Sequence, residues 1–65
     1  MRTHGDIVRT AGYQAVCDLT GKSISTVSSW ALRDSIPSEY WAALISAGHA
    51  TADELIDAAA AKRAA

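Results

Sequence analysis

The stretch that decides the reading runs from Ala11 to Pro37: AGYQAVCDLTGKSISTVSSWALRDSIP. Its centre, Gly21-Lys22-Ser23, separates two segments with helical spacing. In the first, about Tyr13 to Thr20, Val16 and Thr20 share a face with Cys17 beside them. Gly21 turns the chain through a left-handed conformation without a Cβ penalty. Ser23 is a good N-cap for a helix of roughly Ile24 to Asp34. Val27 and Trp30, three apart, anchor that helix to the core. Ser35-Ile36-Pro37 ends it, because the residue before proline avoids the helical region. Cys17 lies four residues before Gly21, where two helices crossing closely leave room only for a small side chain, so it reads as core rather than nucleophile.

Helices continue on both sides. A short one is expected over about residues 6–11, with Asp6 near its N-terminus, where a carboxylate suits the dipole, and Ile7 and Val8 on its apolar face. Gly12 ends it. Pro37 suits the start of a helix over 38–47, with Trp41, Leu44 and Ile45, which Gly48 stops. Thr51 and Glu54 have capping-box spacing and open a helix over 52–63, with Leu55, Ile56 and Ala59 as its apolar stripe and a frayed end. With 14 alanines, one proline and no alternating segment, the fold class is all-α, five short helices in one domain over 1–65.

Composition removes several functions. At 65 residues, with 49% apolar and 20% charged residues, the chain is a small folded domain, too short for a pocket of useful volume without a cofactor or second subunit. Cys17 alone excludes an internal disulfide, and with His4 and His49 it cannot close a zinc site. No acid/base pair, activated nucleophile or phosphate loop is visible, so no enzyme, cofactor, metal or small-molecule ligand is expected. No apolar run reaches membrane-spanning length, and no export signal stands out, so a cytoplasmic location is expected. His4 and His49 read as solvent or cap residues, and Trp30 and Trp41 as core. Net charge is −1 overall, but residues 1–36 carry +1 and residues 37–65 carry −2. Any phosphate contact therefore belongs to the first half.

Two short helices joined by a glycine turn make a helix-turn-helix, with its core over 13–34. Projected at about 100° per residue, Val27, Trp30 and Ala31 define the buried side of the second helix. Ser25, Ser29 and Leu32 fall opposite, flanked by Ser28 and Arg33, with Thr26 at the border. Ile24 falls on the packing side.

Ala15-Val16-Cys17, Gly21-x-Ser23-x-Ser25-x-Val27-x-x-Trp30 and Ile36-Pro37 resemble the Cro-like repressors of lambdoid phages and the related bacterial carph-isopro helix-turn-helix family. The likeness covers about residues 6–47. Thr20 replaces the usual leucine, Lys22 the frequent valine, and Tyr13 the glutamine that opens the second helix, with Gln14 one residue later. The resemblance implies a lambda-repressor/Cro-like domain that binds an operator in double-stranded DNA as a homodimer. It also implies a repressor of a phage, prophage or mobile-element operon that includes its own gene.

The expected contacts follow from side-chain chemistry. Short serines at 25, 28 and 29 let a helix sit deep in the major groove and bond base edges or phosphate, and Leu32 can meet a thymine methyl. Arg33 is the one forked donor for guanine or phosphate. Thr26, Lys22, Ser23, Gln14 and Tyr13 are placed for the backbone, the last two at a helix start whose free N–H groups favour an anion. Arg2 and Arg9 either reach phosphate or serve solubility. The 52–63 helix either closes the core or forms the two-fold contact, and its acids point away from DNA. The rival reading is a protein–protein interaction module, an antiactivator or adaptor, that kept the fold and lost DNA.

Overall fold

The Thr3 hydroxyl accepts the Asp6 N–H at 3.1 Å, and an Asp6 carboxylate oxygen accepts the Thr3 N–H at 3.1 Å. This reciprocal cap starts the first helix, α1, at His4 and carries it to Ala11. The helix opens two residues earlier than expected, because Asp6 serves from its third helical position back to the cap. A computed structural model describes residues 2–64. Met1 and Ala65 of the expected 1–65 domain, and with Ala65 part of the expected frayed end, lie outside the described residues.

Four further helices follow: α2 over Tyr13–Thr20, α3 over Ile24–Arg33, α4 over Trp41–Ser46 and α5 over Ala52–Ala64. The described residues contain no strand, so this part of the chain is all-helical. The segment expected as one helix over 38–47 is divided. Ser38–Tyr40 forms a 3₁₀ turn, closed by the Tyr40 N–H on the Pro37 carbonyl at 3.0 Å, and only then does α4 begin. Among the described residues no helix is long and apolar enough to cross a membrane.

Gly21 takes the left-handed conformation, φ 72°, and donates its N–H to the Cys17 carbonyl at 2.8 Å, ending α2. The Ser23 hydroxyl accepts the Thr26 N–H at 3.3 Å and caps α3. Three residues thus separate two helices that pack on each other. Thr51 and Glu54 form the expected reciprocal cap of α5.

The core gathers Ile7 and Val8 from α1, Val16 and Cys17 from α2, Val27, Trp30 and Ala31 from α3, then Ile36, Leu44, Ala50 and Leu55. Trp41 is half-buried and donates its indole N–H to the Ile36 carbonyl at 2.9 Å. Three expectations about burial are corrected. His4, expected at the surface, is 2% exposed. Its Nδ1 accepts the Ile36 N–H and its Nε2 donates to the Leu55 carbonyl, both at 2.9 Å, while its ring meets the Trp41 ring edge-on. Ile24, expected to pack, is 49% exposed: it stands in the first turn of α3, one turn before Val27, the first residue of that helix in the core. Ile56, expected in the buried stripe of α5, is 53% exposed; Leu55 faces the core as expected, Ala58 takes the place given to Ile56, and Ala59 is half-buried.

Candidate functional site

The face under test is the side of α3 turned away from Val27, Trp30 and Ala31. Ser25 and Arg33 are exposed, and Leu32 is 86% exposed. A leucine that bare in a small domain sits there without any contribution to the core. Ser28 and Ser29, expected on the open face, are half-buried, whereas Ser25 in the first turn is exposed. Thr26 is half-buried, and its hydroxyl lies 3.1 Å from that of Ser23. Ser23 itself is exposed and occupied as the cap, so any further contact from it is shared.

The rim of this face is polar. Lys22, in the turn before α3, lies over the Tyr40 ring with its ammonium 5.6 Å from the centroid. The Tyr40 side chain, and less strongly Glu39, raise the Lys22 pKa above its ordinary value. Tyr40 is itself held by a tilted stack on Trp30, 5.0 Å between centroids. The aromatic platform under Lys22 was not visible from sequence. The one available signal was Tyr40 following a proline that folds the chain back towards α3.

At the start of α2, Tyr13 and Gln14 are exposed, but the Gln14 amide donates to the Asp18 carboxylate at 3.0 Å. Of the two, Tyr13 is the freer, and Asp18 places a negative charge beside Gln14. At the opposite end of α3, Lys62 of α5 reaches the Arg33 carbonyl, where a cation complements the helix dipole. Lys62 and Arg33 thus place two cations at this end, a neighbour the sequence reading missed because it lies 29 residues on. Two open clefts of about 360 and 370 Å³ flank Lys62.

Arg2 and Arg9 are committed elsewhere. Arg2 pairs with Glu54 at 2.8 and 2.9 Å and bonds the His49 carbonyl, while Arg9 pairs with Asp6 at 3.2 Å. Among the described residues no group of three or more His, Cys, Asp or Glu side chains is arranged to hold a metal ion.

No family model matches the chain, and comparison with characterised proteins and with solved structures likewise finds no match.

Proposed function

We propose that the chain is a sequence-specific, double-stranded-DNA-binding transcriptional regulator built on a lambda-repressor/Cro-like helix-turn-helix. In this reading α3 lies in the major groove. Ser25, Ser28, Ser29, Leu32 and Arg33 meet base edges, and Lys22, Ser23, Thr26, Tyr13 and Gln14 meet phosphate. A homodimer spans a two-part operator and excludes or recruits polymerase. The resemblance noted above supports a repressor of a phage, prophage or mobile-element operon that includes its own gene.

The observation that carries the reading is the division of α3. One side is committed to the core through Val27, Trp30 and Ala31, and the other offers short hydroxyls, a bare leucine and an exposed arginine. Such a helix fits a groove whose base edges offer both hydrogen-bonding groups and thymine methyls.

A second reading is favoured by the bareness of Leu32 and Ile24 with a net charge of −1: an interaction module whose α3 face meets an apolar protein surface. Titration against duplex DNA flanking its own coding sequence, at two salt concentrations, separates the two. Groove binding weakens steeply with salt as counterions are released. Absence of DNA binding, together with salt-insensitive capture of a protein partner through Leu32, selects the second reading.

A further inference from the structure

We propose that the cleft between the start of α1, the end of α3 and the second half of α5 binds a small aromatic carboxylate, its ring against Ala58 and Ala61 and its carboxylate between Arg33 and Lys62. The site needs neither DNA nor a second copy of the chain, so it goes beyond the DNA-binding reading.

Three helices meet here without filling the space between them, and the cleft they leave is about 360 Å³. That lies at the lower end of the size range of small-molecule sites. Its apolar wall comes from α5. Ala58 and Ala61, three apart, share a side of that helix, and Ala58 is only 9% exposed. Chain length predicts no useful pocket; the space exists because α5 presents methyl groups where longer side chains would occupy it. Such a wall suits a flat apolar body.

Charge selects the rest of the ligand. The chain as a whole carries −1, yet Arg2, Arg33 and Lys62 all line this cleft. Arg2 is held by Glu54. Arg33 and Lys62 are exposed and make no ion pair among the described residues. Lys62 reaches the Arg33 carbonyl, which offsets the negative end of α3. Asp34 is the one acid lining the cleft, and one of its carboxylate oxygens is held by the Gly5 N–H. His4 also lines it, with both ring nitrogens already bonded to backbone groups. The cleft is therefore positive at its rim and apolar at its wall. An anion with an apolar body matches both, and the planar fork of Arg33 matches a carboxylate. Beyond Lys62 lies the second cleft, where Arg63 and Trp41 stand in place of Arg33 and the two alanines. It provides an internal control.

A chemical-shift titration of the ¹⁵N-labelled full chain with naphthoate, at fixed ionic strength and without DNA, tests the proposal. A dissociation constant on the order of 0.1–1 mM is expected. Shifts should fall on the amides of Thr3, Asp34 and residues 58–62, with little change at the Trp41 indole N–H in the second cleft. Naphthamide keeps the ring and loses the charge, and should bind about fivefold more weakly. Acetate keeps the charge and loses the ring, and should bind more than about tenfold more weakly. Arg33→Ala should weaken naphthoate binding about fivefold, whereas Arg63→Ala should change it by less than about twofold. Ala61→Leu should fill the cleft and abolish binding while the amide spectrum away from the cleft stays in place. No saturation below about 10 mM, equal binding of naphthamide, shifts centred on the Trp41 indole, or equal effects of Arg33→Ala and Arg63→Ala would each overturn the proposal. None of these outcomes bears on whether α3 binds DNA.

Discussion

The Asp34 carboxylate accepts the backbone N–H of Gly5 at 3.0 Å, joining the first turn of α1 to the residue that ends α3. Asp34 sits in the left-handed region, φ 52°, and it directly follows Arg33, so this bond helps set where the candidate binding helix stops. It is possible only because position 5 has no side chain. A Cβ there would stand 2.7 Å from the Ala31 carbonyl oxygen and closer still to the Asp34 carboxylate.

Gly5→Ala is therefore expected to destabilise the fold by about 1–3 kcal/mol, the usual cost of overpacking. The change happens in a helix, where alanine normally gains about 1 kcal/mol over glycine. The sign of the result in a urea melt is thus decisive: a more stable variant would mean that α1 and α3 do not approach this closely.

His4 gives a second test of the core. Its two ring nitrogens satisfy the Ile36 N–H and the Leu55 carbonyl, and the acceptor role of Nδ1 puts the ring proton on Nε2. His4→Phe keeps a ring against Trp41 but leaves the Ile36 N–H without a partner, while the Leu55 carbonyl loses its second hydrogen bond and keeps the one within α5. A loss of about 1–3 kcal/mol in urea unfolding is expected; a loss under about 0.5 kcal/mol, the level of an ordinary surface substitution, would return His4 to the surface.

These cases show what the sequence could and could not disclose. The Gly21 turn, the Ser23 and Thr51 caps and the Val27–Trp30 face were legible because each depends on residues within about one helical turn. His4 was misread because its partners lie 32 and 51 residues away, and a histidine near the start of a chain carries no local mark of burial. Ile24 and Ile56 were misplaced for a related reason. Projecting one helix shows which residues share a side but not how far a neighbouring helix extends to cover it. The α3 face was legible in outline, while the Tyr40 platform and the Lys62 neighbour required the tertiary fold.

The two sides of α3 should respond oppositely to truncation. Trp30→Ala should cost on the order of 3–5 kcal/mol and nearly unfold the domain. Leu32→Ala should leave stability within about 0.5 kcal/mol, as for other exposed positions, while weakening DNA binding. Paired thermal melts check this, and equal losses at the two positions would contradict the assignment of faces.

Acid should loosen the contact between the chain's start and α5. Arg2 first, then the Thr51 N–H, lower the Glu54 pKa from 4.5 to about 2. The unfolded chain binds this proton more readily, so the stabilisation is complete above about pH 4.5 and is lost as pH falls towards about 2. The Asp6 carboxyl, lowered mainly by the Thr3 backbone N–H, acts in the same direction. The melting temperature should fall across that window, and fall less steeply in Glu54→Gln; identical slopes would show that the Arg2–Glu54 pair does not persist in solution.

The central claim, that the hydroxyl-bearing side of α3 reads duplex DNA, is tested most directly by an amide chemical-shift footprint. The ¹⁵N-labelled chain is titrated with DNA flanking its own coding sequence. Shifts should concentrate at Tyr13, Gln14 and residues 22–33, with α5 perturbed little at its acidic end, and Arg33→Ala should lower affinity by about 1–3 kcal/mol if it contacts a base. Shifts confined to α4 and α5, or no shifts at low salt, would contradict the claim.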